Sequence, residues 1–150
     1  MQIDHHVVID SGFFVLTLCE ENVNISAYTA IGHRFSCFAF NKIFIGKFCM
    51  FAANVTLTNG GHDRNTLTPF SGVLSIGSGC WIGSGAHICG PITVGNNAII
   101  AAGALVVDDV PPAAIVAGVP AKIIGYRTLP DKVWHLGNTW FSPYNFERVE

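Results

Sequence analysis

Residues 76–111 read IGSGCW IGSGAH ICGPIT VGNNAI IAAGAL VVDDVP, six consecutive hexads that open on Ile76, Ile82, Ile88, Val94, Ile100 and Val106. The second position of a hexad is small at Gly77, Gly83, Gly95 and Ala101, with Cys89 and Val107 as exceptions. The fifth is Cys80, Ala86, Ile92, Ala98, Ala104 or Val110. An amphipathic helix repeats near 3.6 residues and a half-buried strand at every second residue, so neither explains a period of six. A left-handed parallel β-helix does. Each hexad is one short strand plus a corner, three hexads close a triangular coil, the aliphatic residue points into the prism, and small residues let the chain turn. The expected fold class is therefore all-β.

Upstream a weaker frame runs through Ile25, Ile31, Cys37 and Ile43, then slips by two to Ile45, Phe51 and Leu57, which implies a bulged corner near residues 41–44. Leu57 and Ile76 are nineteen positions apart (76 − 57), three hexads plus one. A loop over about 58–72, punctuated by Gly60, Gly61, Pro69 and Gly72, therefore interrupts one coil. Val110-Pro111-Pro112 ends the regular coil, because proline cannot donate to a ladder. The expected organisation is a single domain. It has an irregular N-terminal cap over 1–24, a β-helix over 25–127, and a C-terminal extension over 128–150. Pro130-Asp131 would open a helical turn in that extension, and Trp134, Trp140, Phe141, Tyr144 and Phe146 would pack on the prism or on a neighbouring subunit.

Composition excludes several function classes. The chain is half apolar, 12% charged and carries a net charge of −2, which leaves no basic footprint for nucleic acid. Its longest uncharged apolar run, 98–107, is far short of the ~20 residues of a membrane span. The first residues, Met1-Gln-Ile-Asp-His-His6, lack the basic start and apolar stretch of a signal peptide. Five cysteines (Cys19, Cys37, Cys49, Cys80, Cys89) are odd in number and form no C-x-x-C pair. They read as reduced packing residues of a cytoplasmic protein.

The segment Ile45-Gly-Lys-Phe-Cys-Met-Phe-Ala-Ala-Asn-Val-Thr-Leu-Thr-Asn-Gly-Gly-His62, followed by Thr68-Pro-Phe70, resembles the hexapeptide-repeat acetyltransferases, in the branch acting on sugars and hydroxyl-bearing xenobiotics. Cys80-Trp-Ile-Gly-Ser-Gly-Ala86, Ile100-Ala-Ala-Gly-Ala-Leu-Val106 and Asp109-Val-Pro-Pro-Ala-Ala-Ile-Val-Ala-Gly-Val-Pro-Ala-Lys122 are similar to that family's closing coils. The resemblance spans about 31–127. It implies a homotrimer, acetyl-coenzyme A lying in a groove between two prisms, and a loop histidine facing the thioester. His62 is the residue in that position. An alcohol is a poor nucleophile at neutral pH, so a base must take its proton as it attacks. An imidazole titrates in the range where it can do so and can then return the proton to the leaving thiol.

Position by position, the resemblance implies cofactor contacts at Trp81, Ser84, Ala102, Gly103 and Lys122. Trp81 lines the acetyl end of the groove or simply covers an outer face. Ser84 would hydrogen-bond the pantetheine arm. Ala102 and Gly103 would lie against that arm through backbone groups, and Lys122 would meet the nucleotide phosphates as a point charge. The chain departs from the family pattern at Val107-Asp108 and at Gly125, which leaves Arg127 as the substitute cation and points to modest cofactor affinity or another acyl carrier. Asp63 and Arg64 are the loop charges available to recognise acceptor hydroxyls. The family's oxyanion asparagine has no counterpart; Asn41, after Phe38-Ala39-Phe40, is nearest and reads as a corner residue.

These residues lead to O-acetylation of a sugar or sugar-containing acceptor by direct transfer in a ternary complex. The alternatives are N-acetylation of an amino or nucleotide-linked sugar and a non-catalytic β-helix subunit. No metal is expected, because His33, His62 and His87 are isolated and His5-His6 are adjacent, so the spacing for three convergent histidines is missing. Phe38, Phe40, Phe44 and Phe48 fall outside the interior frame and call for cover by neighbouring copies.

Overall fold

The computed structural model describes residues 1–18 and 21–128. Cys19 lies outside the described residues, and so does the expected C-terminal extension beyond Thr128, with its helical turn and aromatic residues.

Strands wind into a left-handed parallel β-helix with three faces. The first coil holds β1 (Gln2–Ile3), β2 (Val8–Ile9) and β3 (Phe14–Thr17), and the second β4 (Val23–Ile25), β5 (Ala30–Ile31) and β6 (Ser36–Ala39). The third holds β7 (Ile43–Ile45), β8 (Met50–Phe51) and β9 (Thr56–Thr58), after which β10 (Gly60–His62) and β11 (Pro69–Ser71) form a hairpin. The fourth coil has β12 (Leu74–Ile76), β13 (Trp81–Ile82) and β14 (His87–Cys89), and the fifth β15 (Thr93–Val94), β16 (Ile99–Ile100) and β17 (Leu105–Val106). The strands β18 (Ala114–Gly118) and β19 (Ala121–Tyr126) close the stack as an antiparallel pair. Face I stacks β1, β4, β7, β12 and β15. Face II stacks β2, β5, β8, β13, β16 and β18, and face III β3, β6, β9, β14 and β17.

Pairing puts the hexad aliphatics in three columns. Ile3, Ile25, Ile45, Ile76 and Val94 stack behind face I. Ile9, Ile31, Phe51, Ile82, Ile100 and Val116 stack behind face II, and Val15, Cys37, Leu57, Ile88 and Val106 behind face III. From the second coil onward all are buried. Burial of one such aliphatic side chain is worth roughly 1.5–3 kcal/mol, and here it repeats at every strand. The fifth positions Cys80, Ala86, Ile92, Ala98, Ala104 and Val110 are buried as well. Buried Cys37, Cys49 and Cys80 are free thiols, and burial pushes Cys37 up to about 12, so it stays protonated and packs as a small apolar residue.

Three expectations are corrected. Residues 1–17 are not an irregular cap but a full coil in register with the second. Its frame, Ile3, Ile9 and Val15, keeps the spacing of six. It is obscured because ten residues separate Val15 from Ile25 at the next turn (25 − 15). Ile3 is exposed, since among the described residues β1 is the edge strand of face I. The slip between Ile43 and Ile45 is not a bulged corner: the corner over 40–42 is as short as that over 90–92, and the two extra residues lie in the longer strands β6 and β7 that flank it. Ile43 and Ile45 both point inward from one strand, with Phe44 outward between them. Pro111 does end face I, where Val110 bridges Val94, but β18 adds one more strand to face II. The missing N–H of Pro111 costs nothing there. The equivalent Gly77 and Gly95 donate to the next coil at Val94 O and Val110 O, and among the described residues face I has no further coil for Pro111 to reach.

Candidate active site

Corners between faces II and III always contain four residues, as in 83–86 and 101–104. Corners between faces III and I vary, and one of them carries the hairpin. The expected interrupting loop is thus the β10–β11 pair, with Gly60 opposite Ser71, Gly61 opposite Phe70 and His62 opposite Pro69.

Asn59 roots this hairpin. It is fully buried, and its Oδ1 accepts from Phe40 N (2.9 Å) and Asn41 N (3.2 Å) while its Nδ2 donates to Lys42 O (3.1 Å). Its carbonyl accepts from Gly72 N at 3.1 Å, so one residue ties both ends of the insertion to the corner over 40–42 of the coil below. Close approach accounts for Gly60 and favours a small residue at Gly61. A Cβ on Gly60 would lie 2.7 Å from Phe40 Cδ2, and one on Gly61 would lie 3.2 Å from Phe70 Cζ. Two aromatic rings thus press on the backbone that leads into His62. Leu18, Phe40, Pro69 and Phe70 wall a cleft of about 460 Å³, floored by the glycines and reached by His62 and Ser71.

At the tip, Asp63 Oδ1 accepts from Asn65 N (2.9 Å), Thr66 N (2.8 Å) and Thr66 Oγ1 (3.0 Å). Donation from the Thr66 and Asn65 amides, then from the Thr66 hydroxyl, holds the exposed carboxyl below the usual carboxylate range. One oxygen of Asp63 is therefore committed to folding its own loop. Arg64 and His62 are exposed.

Ser84, Ala102 and Gly103 come together at the corner between faces II and III. Gly103 N donates to Ser84 O (2.9 Å), and a Cβ on Gly83 would meet Ala102 N at 2.5 Å, so the coils stack closely there. Gly103 has φ +68°, and a Cβ on it would meet nothing within 4 Å, which leaves an open ledge. Trp81 stands on adjoining face II, paired in register with Met50 and Ile99, and is 47% exposed. Lys122 follows the turn of the β18–β19 pair, whose Val119–Pro120 bond is cis. Its Nζ lies 3.8 Å from Asp108 Oδ2, and both side chains are exposed.

Arg127 does not join this group. Its Nη1 donates to Gly79 O (3.2 Å) and Asn97 O (3.1 Å), and its N–H to Ala113 O (2.7 Å), all at the corner between faces I and II. His62 is also apart from the Ser84 ledge within one chain, on the other edge of face III. Asn41 is a corner residue whose Oδ1 accepts from Lys42 N at 2.7 Å. His33 and His87 are exposed on the outside of the prism. Asn59 and Phe40 carried no signal in the sequence as site residues. Phe70 stands in the Thr68-Pro-Phe70 motif, but the motif assigns it no task.

Comparison with known proteins places the chain in a family. The family described as bacterial transferase hexapeptide (six repeats) matches residues 74–108. The galactoside O-acetyltransferase of Escherichia coli (strain K12) is 36% identical over 108 residues, 69% of this chain and 51% of that one. A probable macrolide acetyltransferase of Lysinibacillus sphaericus is 34% identical over 129 residues, 71% of each chain. A solved galactoside acetyltransferase in complex with coenzyme A superposes with a TM-score of 0.58 at 29% identity, covering 76% of this chain and 65% of that one. The chain spans about half the length of the first two curated relatives it matches.

Proposed function

The chain belongs to the hexapeptide-repeat acetyltransferases, and from that premise we propose that it moves an acetyl group from acetyl-coenzyme A to a hydroxyl of a sugar or sugar-containing acceptor. The observation that carries this reading is the hairpin that sets His62 beside a cleft at the corner between faces III and I. His62 takes the hydroxyl proton during attack and returns it to the departing thiol sulfur. Coenzyme A, when bound, supplies the acetyl group as a thioester. The ledge of Ser84, Ala102 and Gly103 fits a slender arm lying along backbone, with Trp81 beside it and Lys122 as the phosphate cation. Lys122 is free for that task, because an exposed pair at 3.8 Å with Asp108 is worth little. Arg127 is left out of the set, since its guanidinium is engaged elsewhere. Arg64 is the exposed tip charge that remains for acceptor recognition.

His62 and the ledge lie on opposite edges of face III, so a complete site requires a second copy to bring its ledge to the hairpin. The two surfaces differ, which makes the contact heterologous, and a ring of three closes it. The proposal is thus a homotrimer with one site at each interface. The buried free thiols support a reducing, cytoplasmic setting, and among the described residues no helix is long and apolar enough to cross a membrane.

Complementation tests this. At acetyl-coenzyme A well below its KM, His62→Ala and Ala102→Trp should each be nearly inactive alone. Trimers reassembled from equal amounts should recover about a quarter of wild-type activity, the share of interfaces with both intact halves under random mixing. No recovery from well-formed mixed trimers would overturn the shared site. Near-full activity of His62→Ala alone would move the reading to an amine acceptor, which needs no strong base.

A further inference from the structure

Faces I and II differ in the chemistry of their outward columns. On face II the residues that alternate with the inward column are Val8, Ala30, Met50, Trp81, Ile99 and Ile115, apolar at every level. On face I they are Gln2, Asn24, Phe44, Ser75 and Thr93, two amides, a ring and two hydroxyls in register. Over the first three coils that polar column opens into a cavity of about 460 Å³, lined by Met1, Gln2, Glu21, Asn24, Lys42 and Phe44. That volume falls in the range of small-molecule sites. The cavity shares no lining residue with the cleft beside His62, so it lies outside the proton-transfer site.

Glu21 and Lys42 bring opposite charges to one cavity without forming an ion pair. Among the described residues, the side chains of Gln2, Glu21, Asn24 and Lys42 have no hydrogen-bond or ion-pair partner. A hydroxyl answers such a set, because it donates to a carboxylate or amide oxygen and accepts from an ammonium or amide N–H. Phe44, 39% exposed, adds a flat apolar face for the C–H side of a sugar ring. Neighbouring strands lie about 4.8 Å apart, so Gln2, Asn24 and Phe44 form a row about 10 Å long, more than one pyranose ring fills. A free amino acid would satisfy the two charges and leave that row empty. We infer that face I carries a saccharide-binding site separate from the acetyl-transfer chemistry. One ring of a neutral disaccharide or longer chain lies on Phe44, and Asn24, Gln2, Glu21 and Lys42 hold its hydroxyls and those of the adjoining unit. The site goes beyond acetyl transfer, since it needs neither His62 nor coenzyme A.

Calorimetric titration in the absence of acetyl-coenzyme A tests this, with maltotriose, cellotriose and triacetylchitotriose as probes. The readout is binding, so the result stands whether or not the chain acetylates. At least one trisaccharide should bind saturably and more tightly than its own monosaccharide. Phe44→Ala should weaken that binding about tenfold or more, and Asn24→Ala and Glu21→Gln about threefold or more, while His62→Ala and Phe70→Ala leave it within about twofold. An unchanged denaturant midpoint shows that a variant is folded, and if Phe44→Ala fails that check the two rim variants decide in its place. Binding that survives all three substitutions on face I, or that is lost in Phe70→Ala, would put the sugar elsewhere and overturn the inference. Absence of binding by every probe overturns it too. Dissociation of the assembly by Phe44→Ala in sedimentation would make face I a contact between copies, which also overturns it.

Discussion

The two corners that bound face III are built to opposite rules. The corner shared with face II is the same four residues long in every coil, and the ledge it offers is mostly backbone. The corner shared with face I changes length from coil to coil, and it gathers Leu18, Phe40, Asn59 and the hairpin bearing His62. The first is repetition, and repetition suits a ligand arm of invariant chemistry such as a coenzyme. The second is exception, and only there can one coil carry a base, an aromatic wall and a buried amide that its neighbours lack. On the proposed function, specificity sits where the period fails.

The comparison breaks most directly through kinetics. His62→Ala should lower kcat by about 10²–10⁴ with the KM for acetyl-coenzyme A little changed, since the proton transfer is lost and the ledge is intact. Ala102→Trp should do the reverse, raising that KM by blocking the ledge while an intact His62 waits for substrate. If both variants produced the same signature, the two corners would not divide the work between base and cofactor.

A smaller effect is expected at the root of the hairpin. Asn59→Ala strands Phe40 N, Asn41 N and Lys42 O. Leaving buried polar groups unpaired costs about 1–3 kcal/mol. The loss should appear as a lower denaturant midpoint and as a fall in kcat/KM, because the base and the Phe40 wall are displaced together. Ser84→Ala at the regular corner should move stability by less than about 0.5 kcal/mol, being exposed with neighbours of its own shape. An Asn59→Ala enzyme as stable and active as wild type would remove Asn59 from the positioning of His62.

How far the sequence could be read follows the same division. The hexads 76–111 specify their columns because each residue's burial depends on its own position in the period, and every inward aliphatic expected there is buried. The hairpin was legible as an excess of residues between Leu57 and Ile76, and its histidine through resemblance. The first coil was missed although Ile3, Ile9 and Val15 keep the period, since the long turn that follows dislocates the frame. Asn59 was missed because its role is relational. A buried asparagine is defined by the amides it meets seventeen to nineteen residues away, and no local pattern announces them. Arg127 shows the converse case: the guanidinium of a cation in the right stretch of sequence donates to two corner carbonyls, Gly79 O and Asn97 O.

Asp63 gives the finest test of the irregular corner, because charge and fold can be separated there. Its carboxyl is held below the usual range by the tip amides, so its contribution to the loop is present above the unfolded value of 3.8 and is lost as pH falls through the lower folded one. The carboxylate is exposed, so the effect is screened and confined to the tip. Limited proteolysis of the tip should therefore accelerate only at strongly acidic pH, and Asp63→Ala should show that susceptibility at neutral pH. Asp63→Asn keeps an acceptor oxygen for the Asn65 and Thr66 amides and removes the charge. It should leave acceptor kcat/KM within about twofold of wild type and erase the acid dependence of cleavage. A raised acceptor KM in Asp63→Asn with an intact tip would instead place the free carboxylate oxygen on the acceptor, and the irregular corner would then recognise its substrate by charge.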